Sequence, residues 1–204
     1  MSANTISVNQ GNHQLDGRKH VWLFGYGSLI FKVDFKYLER RPATIRDWQR
    51  RFWQGSHDHR GTPEKPGRVV TLTPKEGAIC QGMDYMISTD VFEYLDFREK
   101  NGYLRLTTTL TFDDGKTAEA LVYIATDENE AYLGPASERV IAQHIYRCTG
   151  PSGPNREYLF ELANALRSLQ IEDEHVSKIE QHLLILSQRS EEFTVDNPIN
   201  NSST

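Results

Sequence analysis

Residues 103–112 alternate without a break, with Leu104, Leu106, Thr108, Leu110 and Phe112 on one face and Tyr103, Arg105, Thr107, Thr109 and Thr111 on the other. Asp113-Asp114-Gly115-Lys116 then supplies Asp-Gly turn chemistry, and residues 118–125 alternate again. The pair reads as a half-buried β-hairpin, and it sets the architecture that the rest of the chain must complete.

Further short strands read at 21–24, at 43–54 around Trp48, Phe52 and Trp53, at 68–73 and at 78–87, the last two separated by Pro74-Lys75-Glu76-Gly77. Six short strands with few helices between them predict a mainly antiparallel sheet closed towards a barrel. Residues 58–67 have no apolar side chain other than proline, which makes them a long loop and a candidate rim or lid. The last third changes period. Val140, Ile141, His144, Ile145 and Cys148 share one helical face, with His144 and Cys148 read as core packing. A second helix carries Leu159, Leu162, Ala163, Leu166 and Leu169 behind Asn155, and a third carries Val176, Ile179, Leu183 and Leu186. Helices packed outside such a sheet give an α+β domain.

The 204 residues suit one well-buried domain, expected over 19–188, with polar residues 1–18 and 189–204 expected as disordered tails. A net charge of -5 gives no electrostatic reason for a nucleic acid partner, and no run reaches membrane-spanning length. Two cysteines supply neither a disulfide framework nor a zinc site, and the N-terminal segment lacks a signal or transit pattern, so a cytoplasmic monomer is expected. His57 and His59 have no carboxylate or cysteine cluster beside them and are left as loop residues.

Two stretches carry chemistry. The run Val21-Trp22-Leu23-Phe24-Gly25-Tyr26-Gly27-Ser28-Leu29-Ile30 is a strand ending in two glycines, which allow unusual backbone conformations and bring N–H groups against a ligand. It lacks the glycines at 26 and 30 of a nucleophile elbow and the third glycine of a dinucleotide loop; a bare tight turn is the alternative. The second is a short helix over about 90–100, with Asp90 and Glu93 as a capping box and Gly102 past its end. On a wheel Val91, Leu95 and Phe92 span roughly 0° to 100° and Glu99 falls near 80°, whereas Asp96 and Glu93 fall at about 140° and 200°, towards the polar side. Glu99 alone is therefore expected to face inward. Burial and the helix C-terminus raise its pKa, while Arg98, Lys100 and Arg105 oppose that. Pairing with Arg105 or fraying into solvent remains open from the wheel alone.

Phe24-Gly25-Tyr26-Gly27-Ser28-Leu29-Ile30, Arg51-Phe52-Trp53-Gln54-Gly55-Ser56, Pro66-Gly67-Arg68-Val69-Val70-Thr71-Leu72, Tyr94-Leu95-Asp96-Phe97-Arg98-Glu99-Lys100, Tyr132-Leu133-Gly134-Pro135 and Gly150-Pro151-Ser152-Gly153-Pro154-Asn155 resemble, in order and spacing, the ChaC-type glutathione-specific γ-glutamylcyclotransferases. The resemblance runs from about Val21 to Leu169. It implies a small β-barrel with surrounding helices, no cofactor or metal, and conversion of glutathione to 5-oxoproline and cysteinylglycine. It also implies that the strand-end loop, Leu23, Phe24, Gly25, Tyr26, Gly27 and Ser28 here, holds the γ-glutamyl group, and that Glu99 is catalytic. Phe31 and Asn101 depart from residues frequent in close relatives, and neither is expected to touch the chemistry.

The chemistry suits these residues. The α-amino group must lose a proton to attack its own γ-carbonyl, so the protein mainly folds the substrate and moves protons. Arg60 and Arg68 flank the long loop and are candidates for the glycyl carboxylate, and Tyr103 for the pocket wall; solvation of the arginines and a sheet-face role for the tyrosine are the alternatives. Two rival functions stand: a cyclotransferase for other γ-glutamyl amines, and a non-enzymatic module that keeps the pocket.

Overall fold

The computed structural model describes residues 4–195, with side chains through residue 188. Strands β1 (His20–Gly25), β2 (Glu39–Ser56), β3 (Gly67–Ser88), β4 (Tyr103–Phe112) and β5 (Thr117–Ala125) close into a barrel in the order β1-β3-β2-β4-β5. Neighbours are antiparallel except β1 and β5, which close the barrel in parallel with Trp22 opposite Ala120 and Leu23 opposite Leu121.

The strands expected at 68–73 and 78–87 are one strand, so five replace six. Pro74 to Gly77 is an exposed bend where the ladder is interrupted. β3 itself bulges, with Lys75 to Ala78 lying between the pairs Trp48–Pro74 and Arg46–Ile79 opposite Asp47 alone, and the Gly77 N–H donates to Asp47 Oδ1 at 2.8 Å. A local composition that looks like a turn is thus absorbed by two long paired strands.

Helix α1 (Ile6–Gly11) corrects the expected N-terminal tail. Asn9 of α1 is fully buried, its amide donating to Tyr103 O and its Oδ1 accepting from Arg105 N–H. Residues 4–18 therefore cover the start of β4 and the residues just before it. Helix α2 (Val91–Arg98) follows β3, without the expected capping box: Asp90 itself has helical dihedrals and makes no side-chain cap bond. Helices α3 (Glu138–Tyr146), α4 (Asn155–Ser168) and α5 (Glu174–Val195) follow, and β6 (Thr149–Gly150) and β7 (Gly153–Pro154) form a two-residue hairpin between α3 and α4. Residues 189–195, expected as tail, continue α5, and 196–204 lie outside the described residues.

The core has two parts. One joins barrel residues Phe24, Ile45, Phe52, Leu72 and Leu110 to Ile141, Ile145, Leu159, Leu162, Ile179 and Leu183 of α3 to α5. Val140, assigned to the apolar face, is exposed instead. The second lies under α2, where Phe92 and Leu95 pack on Leu23, Tyr85, Ile87, Leu121 and Tyr123. Burying each of these side chains stabilises the fold by about 1.5–3 kcal/mol, and the second cluster fixes where α2 ends.

Candidate active site

The end of α2 carries Glu99, whose N–H still bonds Leu95 O at 2.8 Å and whose side chain is 16 % exposed. Gly102 turns the chain immediately afterwards at φ 87°, and a Cβ there would collide with the Asn129 amide at 1.9 Å, so glycine is required for the turn back into β4. The inward direction read from the wheel holds. Arg105 is not its partner; Arg98 Nε stands 3.2 Å from Glu99 Oε1.

Asp96 corrects the wheel. It is 2 % exposed, receives Arg105 Nη1 on both oxygens at 3.1 and 3.0 Å, and accepts from Tyr123 OH at 2.6 Å. Arg105, placed on the polar face of β4 by alternation, is 1 % exposed. Its guanidinium lies 4.9 Å from the Phe92 ring and also donates to Gln14 Oε1 and Asn9 O. This network locks α2 to the hairpin.

The strand-end loop meets Glu99. Phe24, Gly25, Tyr26, Gly27, Ser28, Val70, Tyr103, Tyr158 and Glu99 line a recess of about 50 Å3. Neither Gly25 nor Gly27 has a positive φ; what they supply is room. A Cβ on Gly27 would come within 2.9 Å of Val70 Cγ2 and 3.1 Å of the Tyr158 hydroxyl. Among the described residues, the Gly27 and Ser28 N–H groups have no acceptor, which leaves two donors for a ligand.

Arg98 connects the two halves. Its Nη2 donates to Ser28 Oγ at 3.1 Å, its Nη1 to Asp34 Oδ1 at 2.5 Å, and Asp34 also accepts from Tyr94 OH. Burial holds the Glu99 carboxyl above the usual carboxylate range against the pull of Arg98, with Asp34 and Asp58 adding to the rise. Burial likewise pushes the phenols of Tyr26, Tyr103 and Tyr158 up, so all three remain hydroxyl donors around a carboxylate.

An outer cleft of about 240 Å3 continues from the recess through Ser28, Glu99, Tyr103 and Tyr158. The 58–67 loop forms its rim, through Asp58, His59 and Arg60, with His57 beside them. The loop is tied down: Ser152 N–H donates to His59 O, Arg60 N–H donates to Ser56 Oγ at 3.0 Å, and the Asn101 amide donates to Asp58 Oδ2. Phe31 and Asn101, set apart from the chemistry by sequence, both line this cleft.

Two expected binding residues do not reach it. Leu23 is fully buried under α2, because alternation along β1 turns it to the opposite face from Phe24. Arg68 is buried with its Nη1 donating to Phe52 O and Gly134 O, and it borders neither the recess nor the cleft. Arg60 does line the cleft, but its guanidinium is shared by Glu157, Glu161 and Pro154 O. Tyr103 is a wall residue as expected. The sequence reading missed Arg98, Asp34 and Tyr158. Tyr158 was within reach, since it sits on the same α4 face as Leu159 and Leu162, whereas nothing local marks Asp34 as a partner of a residue sixty-four positions later. No cluster of three or more His, Cys, Asp or Glu that could hold a metal occurs among the described residues.

Residues 21–186 match the family of ChaC-like proteins. The chain belongs to that family. Similar ChaC-like relatives include gamma-glutamylcyclotransferase 2-3 of Arabidopsis thaliana, 41% identical over 188 residues, covering 86% of this chain and 94% of the relative. Glutathione-specific gamma-glutamylcyclotransferase 1 of Homo sapiens is 40% identical, covering 78% of this chain and 76% of its own. The selenomethionine-labelled crystal structure of the yeast gamma-glutamylcyclotransferase specific to glutathione superposes with a TM-score of 0.76 at 31% identity, covering 81% and 96% of the two chains. The expected α+β fold, a γ-glutamylcyclotransferase-like barrel with surrounding helices, is the one observed.

Proposed function

We propose that this ChaC-like chain converts glutathione to 5-oxoproline and cysteinylglycine, with Glu99 moving the proton. The observation that carries the reading is the meeting of Glu99 with the two unpaired N–H donors of Gly27 and Ser28 in one recess. Relatives whose names specify glutathione, at about 40% identity, support the choice of substrate.

The γ-glutamyl head enters the recess with its γ-carbonyl or α-carboxylate against the loop N–H groups. Glu99, basic for a carboxylate because it is buried, takes a proton from the α-ammonium as the amine nitrogen attacks the γ-carbonyl carbon. The new C–N bond closes the five-membered ring. The amide C–N bond to cysteine then breaks as Glu99 returns its proton to the departing nitrogen, and the second proton lost by the ring nitrogen as the lactam forms is taken up by the freed amine, which leaves as an ammonium. Ring closure within one molecule needs little beyond folding the substrate chain. The cysteinylglycine portion lies in the outer cleft. There Lys32 has no ion-pair partner among the described residues, whereas Arg60 already holds two glutamates, so Lys32 is the better cation for the glycyl carboxylate.

The test is a substrate panel. Glutathione, γ-glutamyl-alanine and γ-glutamyl-lysine are incubated with the protein and 5-oxoproline is measured by mass spectrometry. Release from glutathione alone, matched by cysteinylglycine, is the expected result. Release from the other amines at equal kcat/KM would transfer the reading to a general cyclotransferase, and no release from any would leave a binding module.

A further inference from the structure

Arg50 is a buried charged group that the reaction just described does not use. Its side chain is 1 % exposed, a costly place for a guanidinium. It donates three short bonds to three separate segments: Nε to Tyr26 O, Nη1 to Asp173 Oδ2 and Nη2 to Gln81 O, each at 2.6 Å. Asp173 is itself fixed, since its Oδ1 accepts from Val176 N–H and caps α5.

The bond to Tyr26 O has a geometric consequence. In a trans peptide the carbonyl oxygen and the following N–H point in opposite directions, and the described chain contains no cis bond. A Tyr26 carbonyl drawn towards Arg50 therefore aims the Gly27 N–H away from Arg50, to the side where the loop and Glu99 enclose the recess. Among the described residues no other hydrogen bond holds the Tyr26 carbonyl: the Tyr26 hydroxyl is anchored separately on Tyr123 O, and the Ile30 N–H bonds the next carbonyl, that of Gly27.

We propose that Arg50, held by Asp173, is a positioning residue that sets the Tyr26–Gly27 peptide so that its N–H faces the reacting group. This rests on the cyclotransferase reading of the same recess. A second cleft of about 250 Å3, lined by Arg50, Asp173, Gln81, Arg51, Lys75 and His175, shares no residue with the catalytic cleft and gives a small cation access to the Arg50 position.

That access supplies the experiment. Arg50→Ala is assayed for 5-oxoproline release from glutathione with and without guanidinium chloride below denaturing concentration, alongside wild type and a melting measurement. The expected loss in kcat/KM is about 100-fold, the scale of removing one oriented donor, with guanidinium restoring a large part of it in a saturable manner. A folded Arg50→Ala protein that keeps wild-type kcat/KM, or whose loss guanidinium does not reverse, overturns the proposal. If that variant does not fold, Asp173→Asn decides. Weaker inhibition by 5-oxoproline with unchanged inhibition by cysteinylglycine supports the proposal, because only the former sits on the loop; equal change or none overturns it. A wild-type protein that releases no 5-oxoproline would instead defeat the underlying function.

Discussion

Glu99 is held between opposing influences at atomic range. Burial raises its pKa and the Arg98 guanidinium at 3.2 Å lowers it. If Glu99 is the base, kcat/KM falls on the acid side as Glu99 takes up a proton, and this limb lies above the ordinary carboxylate range. Removing Arg98 takes away the group that favours the charged form, so Arg98→Gln should move the acid limb to higher pH while also freeing Ser28. A pH profile of kcat/KM for both proteins checks this; a limb that stays put or moves to lower pH contradicts it. The sequence pointed to Glu99's direction through helical spacing, while leaving a pairing with Arg105 open. It did not show Asp96, because the wheel set it at about 140°, towards the polar side, and its partner Arg105 belongs to a strand whose alternation assigned it to solvent as well.

At the scale of elements, the Asp96–Arg105 pair fastens α2 to β4 and so places Glu99 three residues beyond it. Removing one partner strands a buried charge, at a cost of about 3–5 kcal/mol. Arg105→Met should therefore lower stability by that order in denaturant unfolding, and its residual folded fraction should show reduced activity. A loss below about 1 kcal/mol would mean that the pair does not hold the helix. The hairpin was legible from period-two alternation, and so was its Asp-Gly turn. The length of β3 was not, since Pro74 to Gly77 has the composition of a loop and forms a bulge of β3, tied to Asp47, beyond which pairing with β2 resumes. Helix α1 and the turn after it were hidden for a related reason: their anchoring contacts are polar ones, from Asn9 of the helix and Gln14 of the turn, which composition cannot distinguish from solvated residues.

Across the whole molecule, two buried groups link stability to pH in opposite directions. His175 of α5 accepts the Phe52 N–H on Nε2 and faces Glu138 with Nδ1, and burial lowers its pKa against the pull of Glu138. Folding therefore favours the neutral ring. Its contribution is complete above the ordinary histidine pKa of about 6.5 and is lost as pH falls below it. His175→Gln should flatten the fall in melting temperature between pH 6.5 and 5. Asp84 of β3, between Phe24 and Arg41 in register, has both oxygens buried without a hydrogen-bond partner among the described residues, and burial pushes its pKa up to about 8. The unfolded carboxyl ionises near 4, so the folded state loses relative stability as pH rises from about 4 to 8. Asp84→Asn should be more stable than wild type by about 1–4 kcal/mol at pH 7, with the difference vanishing towards pH 4. Melting curves across that range test both signs.

The barrel, the pinned rim and the Arg98 link bring the strand-end loop to a carboxylate some seventy residues away, and the functional account depends on that carboxylate. Its most direct test is 5-oxoproline release from glutathione by Glu99→Gln, measured beside glutathione binding and thermal unfolding. The account predicts a folded protein that binds glutathione and turns it over about 100- to 10,000-fold more slowly, the range for loss of a general base. A folded Glu99→Gln protein with wild-type turnover would contradict it.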